Sequence, residues 1–311
     1  MIDQMRCNYT RHPAVICLHS VNIGIVYYDT STCVCMRYSL CLFLVLLLSC
    51  SNKQKAVKVK GSDTEVNLAV ILAERFYKIN GHYRLAISGG GSGLGIASLL
   101  NNEADMANSS RPLTADEKEL FAKRGIALKT VVFAEDATAF IVHKNFPVDS
   151  IQVDVLAALL SGKIKTWEQI TGKPVPVNIY GRQNNSGTYS FVQKKLGIQF
   201  STDAKEMNGN AQIMEGIKAD ESGIGYVGAG YIMHDKGEQG VKVMRIIDST
   251  GRKAISPLDA KAIAEHRYFF QRPLYQFVRN SSWTKVAPFI NFEKSTEGQQ
   301  IIRNSGYYII D

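Results

Sequence analysis

Gly61-Ser62-Asp63-Thr64, Gly89-Gly90-Gly91-Ser92-Gly93 and Arg182 followed by Ser186-Gly187-Thr188 are three short polar stretches, each standing where a strand-like run gives way to a helix-like one. A helix start exposes unpaired backbone N–H groups and the positive end of a dipole, and a Ser or Thr placed there adds a hydroxyl without blocking approach. Taken singly, each junction reads as an ordinary N-cap. Three in one chain, one carrying an arginine with a planar fork of donors, point to a shared anion.

The runs around these junctions set the fold class. Ala56 to Lys60 alternates like a strand, Val66 to Ile79 carries apolar residues at helical spacing, Tyr83 to Ile87 is strand-like and Leu94 to Leu100 helical. Asp105 to Asn108 reads as short and extended, and Thr114-Ala115-Asp116-Glu117 as a helix start after Pro112. Ile126 to Phe133 and Thr138 to His143 are β-rich runs bracketing Ala134-Glu135-Asp136-Ala137. The second half repeats the alternation: helices over Val153 to Leu160, Ser186 to Leu196 and Asn210 to Lys218, and strands over Val175 to Tyr180 and Ile224 to Val227. Tyr268 to Val278 reads as a return strand and Trp283 to Arg303 as closing helices. This predicts an α/β fold of two lobes, each with a mainly parallel sheet, joined by crossing strands. Ligands of open α/β sheets settle beyond the carboxyl ends of strands, where the three junctions fall.

The first fifty residues differ. Met36-Arg37 and the apolar run Leu40 to Leu48, closed by Ser49-Cys50, have the layout of a secretory signal and are short for a membrane span. Leu47-Leu48-Ser49-Cys50 resembles the lipobox of bacterial lipoproteins, which implies lipidation of Cys50. The expected division is an upstream extension over 1–35, a lipoprotein signal peptide over 36–50, a tether over 51–55, lobe I over 56–135 plus 266–311, and lobe II over 136–265. All six cysteines lie at or before Cys50, so the chain beyond it has no disulfide, cysteine metal site or cysteine nucleophile. The chain has 36 Lys and Arg against 28 Asp and Glu, a net charge of +8, but both signs are interspersed and no basic stripe marks a nucleic-acid surface.

Within the candidate site, Thr64 and Ser92 offer hydroxyls, Gly187 leaves room for backbone contact, and Ser186 and Thr188 open the third helix beyond Arg182. Ser110, in Ser109-Ser110-Arg111-Pro112, is either a further donor or part of a simple turn. Catalysis is not expected. Leu94 breaks the Gly-x-Ser-x-Gly elbow after Ser92, and His82, His143, His234 and His266 have neither triad nor metal-ligand spacing. No metal or other cofactor is called for.

Gly61 to Thr64, Ile87 to Gly93, Asn108-Ser109-Ser110-Arg111-Pro112-Leu113 and Gly181-Arg182-Gln183-Asn184-Asn185-Ser186-Gly187-Thr188 resemble the phosphate-binding proteins of bacterial phosphate ABC transporters. The likeness runs in order from about residue 56 to the C-terminus. It implies a two-lobed periplasmic-binding-protein fold of type II that closes on dehydrated inorganic phosphate and delivers it to a membrane permease. It also implies a location in the periplasm or cell envelope, held to the membrane by the lipid anchor, with Thr64, Ser92, Arg182, Ser186, Gly187 and Thr188 as ligand contacts. One departure stands out: family members place an Asp, the acceptor of the hydrogen-phosphate proton, where this chain has Ser110. Asp136 is the expected replacement, with Asp63 second. The donor set also fits sulfate, molybdate or tungstate, and a surface sensor or adhesion module remains an alternative.

Overall fold

The computed structural model describes residues 56–234, 240–251 and 253–310; the signal segment, Cys50 and the tether lie outside them. Among the described residues no helix is long and apolar enough to cross a membrane.

The chain opens β1 (Val57–Gly61), α1 (Val66–Ile79), β2 (Leu85–Ser88), α2 (Ser92–Leu100), β3 (Met106–Ser109), α3 (Ala115–Lys123). Val57 and Val59 face the core while Lys58 between them faces out, the period-two pattern of a strand covered on one face. Leu68, Leu72 and Phe76 form the buried stripe of α1. Thr114 caps α3, its hydroxyl accepting from the Glu117 N–H while Glu117 reaches back to the Thr114 N–H.

β4 (Leu128–His143) then runs for 16 residues. The alternation predicts two strands here, broken at Ala134 to Ala137, and the structure instead carries one strand through them. The polar pair does not end the strand because the partners of Glu135 and Asp136 lie alongside: Arg272 and Pro273 on β11 (Gln271–Arg279) continue the antiparallel ladder past both residues. From Asp136 onward every residue of β4 is buried, whereas in the first half only Val131 and Ala134 are. β4 leaves one sheet there and enters the centre of another.

Beyond β4 come β5 (Ser150–Gln152), α4 (Val153–Leu160), α5 (Glu168–Thr171), β6 (Asn178–Arg182), α6 (Gly187–Leu196), β7 (Lys205–Met207), α7 (Asn210–Ala219) and β8 (Gly223–Gly228). They are followed by α8 (Ala229–His234), β9 (Val241–Val243), β10 (Arg245–Ile247), α9 (Ala260–Ala264), β11, α10 (Trp283–Glu293) and α11 (Thr296–Asn304).

The strand order β2-β1-β3-β11-β4-β8-β6-β7, with β9 also on β4, describes two sheets sharing one crossing strand. Pairings on the outer sides, β1 with β2 and β3, and β6 with β7 and β8, are parallel. Those at the crossing, β11 with β3 and β4, and β4 with β8 and β9, are antiparallel. The sheets are therefore mixed, with parallel strands where helices intervene and antiparallel ones where the chain crosses. Two main cores follow the same division. One gathers Phe140, Leu156, Trp167, Ile213, Tyr226 and Phe270, the other Leu68, Phe76, Met106, Leu274, Phe289 and Ile302. The result is the two-lobed, type II periplasmic-binding-protein architecture.

Candidate functional site

The parallel strands β1, β2, β3 and β6 all end towards one place. β1 ends on Gly61, whose φ of +139° and whose backbone approach to Asn108 leave no space for a side chain: a Cβ would lie 2.1 Å from the Asn108 carbonyl oxygen. This tight turn puts Thr64 at the entrance of α1. Gly91, also at positive φ, turns the chain from β2 into α2, whose first residue is Ser92. Neither helix has a side-chain N-cap bond, so Thr64 and Ser92 spend their hydroxyls elsewhere. Ser186 behaves differently, capping α6 by accepting from the Thr188 and Tyr189 N–H groups.

Thr64, Ser92, Ser110, Asp136, Arg182, Ser186, Gly187 and Thr188 are all buried. The Thr64 and Thr188 hydroxyls meet at 3.0 Å, one from each lobe. Ser92 Oγ accepts from the Ser110 N–H at 3.1 Å and lies 3.4 Å from Ser110 Oγ. Gly187 seats its backbone against this serine pair, so closely that a Cβ would come within 2.4 Å of both hydroxyls. The junctions converge, and of these eight residues all but Arg182 and Asp136 touch another of them directly.

Arg182 enters through its neighbours. Its Nη1 reaches Asp63 Oδ2 and Asn210 Oδ1, each at 3.4 Å, its Nη2 donates to the Asn208 carbonyl at 3.2 Å, and its N–H donates to the Tyr226 hydroxyl. Asp63 precedes Thr64, so the arginine is held one residue from the threonine pair. Asp63 also accepts from the Asn210 N–H at 2.8 Å, at the start of α7. Burial lowers the pKa of Arg182, an effect that the Asp63 carboxylate partly offsets.

Arg272 is the member that the sequence reading misses. From β11 its Nη2 donates to Thr64 Oγ1 at 3.2 Å, to Thr188 Oγ1 at 3.0 Å and to Asp136 Oδ2 at 2.8 Å, while Nε also bonds Asp136. A lone charge inside the otherwise strand-like run from Tyr268 to Val278 is the signal that could have found it, since buried arginines are rare unless paired. Asp136, expected to face the ligand as proton acceptor, gives its Oδ2 to Arg272, while its Oδ1 is buried without a hydrogen-bond partner. Burial pushes its carboxyl up, and the Arg272 guanidinium and nearby backbone N–H groups pull it back. Gly228 makes room for this pair, since a Cβ there would come 3.3 Å from Asp136 and 2.8 Å from Thr64.

The electrostatics favour an anion. Two guanidiniums and two carboxylates cancel, leaving the helix N-termini as the uncompensated field. Buried Arg182 Nε and Arg272 Nη1 have no hydrogen-bond partner, and a buried donor left unpaired is costly enough that it points to a ligand. Glu65 sits beside the cluster, fully buried, its carboxyl pushed well above the usual range by desolvation.

Residues 50–296 match the model of the PBP superfamily domain. The chain belongs to this superfamily, among its PstS-like phosphate-binding proteins. The phosphate-binding protein PstS of Borreliella burgdorferi is 30% identical over 274 residues, 84% of this chain and 93% of that protein. SphX of Synechococcus elongatus is 28% identical, over 80% of this chain and 76% of that one. Among solved structures, a putative phosphate ABC transporter substrate-binding protein from Clostridium perfringens, with bound phosphate, superposes with a TM-score of 0.73 at 24% identity, covering 83% of this chain and all of that one. At that identity the likeness speaks for the fold.

Proposed function

We propose that the protein is an extracytoplasmic receptor that captures inorganic phosphate between its lobes and hands it to the permease of a phosphate ABC transporter. The observation that carries this reading is the convergence of Thr64, Ser92 and Ser110 from one lobe with Gly187 and Thr188 from the other on a buried cluster that holds two unpartnered guanidinium N–H groups. A ligand bound there touches both lobes and stabilises the closed state through contacts that the open state lacks. In this reading the lobes are 56–135 with 266–311, and 136–265. Arg182, Arg272, the hydroxyls of Thr64, Ser92, Ser110 and Thr188, and the α6 entrance at Ser186 and Gly187 hold the anion, while Asp63 and Asp136 orient the two arginines. Lipidation of Cys50 tethers the receptor to the outer face of the membrane, in the periplasm or cell envelope. Nothing in the cluster pairs a nucleophile with a base, so the reading is binding without turnover.

A second reading has its own observation. With Ser110 in place of a carboxylate and Asp136 Oδ2 bonded twice to Arg272, rejection of a fully ionised oxyanion falls to the single unpartnered Oδ1 of Asp136. Sulfate is the test case. Calorimetric titration of the protein with phosphate and with sulfate decides: tight phosphate binding with sulfate at least a hundredfold weaker supports the phosphate receptor, equal binding makes it a general oxyanion receptor, and binding of neither overturns both.

A further inference from the structure

Beside the buried cluster lies a cavity of about 730 Å³, walled by the loop after β3, by α6 and by β11. Both lobes therefore contribute. Ser110 and Arg272 belong to the anion cluster and to the cavity wall alike, so the two spaces meet at those side chains. Arg272 is 3% exposed, and its Nη1 is buried without a hydrogen-bond partner. Phe191 lies under the Arg272 guanidinium at 5.1 Å, and Tyr275 and Pro273 add further apolar wall.

The rim is cationic. Lys194 and Lys195 line it from the last turn of α6, both exposed, and among the described residues neither has a carboxylate partner. Arg111, by contrast, is neutralised by two bonds of 2.7 Å to Glu117. Along α6, Gly187 at the anion end and Lys194 at the rim are seven residues apart, about 10 Å at 1.5 Å per residue. Lysine charge thus stands at the rim, with an apolar wall between it and Arg272.

Ser110 bears on what fits. A carboxylate at this neck would demand a protonated oxygen and repel a fully ionised group, whereas a hydroxyl both donates and accepts. A phosphate monoester is close to a dianion at neutral pH, with a second pKa near ~6, and its three terminal oxygens carry no proton. Resting on the phosphate reading above, we propose that the cavity is a tail subsite. It takes the organic portion of a small phosphate monoester bearing a carboxylate, with the phosphoryl group in the buried cluster and the carboxylate towards Lys194 and Lys195.

Calorimetric titration with 3-phosphoglycerate, inorganic phosphate and glycerate tests this in the wild-type protein, in Ala115→Trp, which fills the cavity from an exposed wall position, and in Lys194→Glu, which reverses the rim charge. Expected are binding of 3-phosphoglycerate in competition with phosphate, no binding of glycerate, and a loss of about tenfold or more in ester affinity in each variant with phosphate affinity unchanged. Phosphate binding without ester binding overturns the subsite and leaves the phosphate reading standing. Ester binding indifferent to both variants also overturns it, and binding of neither anion overturns the subsite together with the reading beneath it.

Discussion

Arg272 carries more of the site than any residue that the sequence singles out. It joins the lobe threonines to each other and neutralises Asp136, so its removal has two separable effects. Arg272→Gln leaves Asp136 as a buried carboxylate without its cation, a change that typically destabilises by roughly 3–5 kcal/mol. Urea denaturation of the variant should show a loss of that order, and calorimetry should show phosphate affinity lower by at least about a hundredfold. Arg272→Gln with Asp136→Asn should recover much of the stability and none of the affinity; recovery of binding would remove Arg272 from the ligand shell. Gly187→Ala isolates the opposite case. Its Cβ would collide with two hydroxyls that belong to the other lobe, so phosphate affinity should fall at least about tenfold while the melting temperature of the ligand-free protein hardly moves. The Ser/Gly/Thr junctions were legible because helix entrances advertise themselves by residue type. Arg272 was not, because a strand has no such marker and its partners come from residues 64, 136 and 188.

At the level of elements, α1 is read with its observed ends, and the other main helices within two residues, because each has one buried stripe and a clear entrance. β4 is the instructive difference. Glu135-Asp136 looks like an interruption from local sequence, yet the antiparallel ladder with β11 and the Arg272 pair supply what those polar groups need. A second cross-lobe element was visible only in three dimensions: Asp63, from the β1–α1 turn, accepts from the first N–H of α7 and pairs with Arg182. Asp63 therefore acts as a latch between the β1–α1 turn and the other lobe. Asp63→Asn keeps the shape, weakens the pairing and should speed phosphate release by about tenfold in stopped-flow measurements, with a smaller change in association. An unchanged release rate would show that the latch contributes nothing to closure.

The whole molecule carries a pH dependence set by carboxyl groups buried beneath the site. Glu293, on α10, accepts from Gln276 at 2.9 Å, and burial pushes its carboxyl up to about 8. Glu65 is raised as well, first by desolvation, with the charges of Asp136 and Glu293 adding to it. In the unfolded chain both groups ionise near their model value of 4.5. Between that value and about 8 Glu293 holds its proton in the folded protein and not in the unfolded one, so through this group stability falls as pH rises across the window and levels off above it. Glu117 and Asp220 work in the other direction, because hydrogen bonds, from Arg111 and Thr114 to the first and from Ser222 and Tyr180 to the second, outweigh desolvation and lower their pKa values. Their contribution is lost only as pH drops below the ordinary carboxylate range, so the two effects occupy separate windows. Urea denaturation at half-unit steps from pH 5 to 9 should give a midpoint that declines towards pH 8 and then flattens. Glu293→Gln keeps a carbonyl for Gln276 while removing the titration, and should make the protein more stable than wild type at pH 8 by on the order of a few kcal/mol and flatten the decline in proportion. A wild-type profile without slope between pH 5 and 8, or a Glu293→Gln profile parallel to it, would mean that the buried carboxyl does not hold its proton in the folded state.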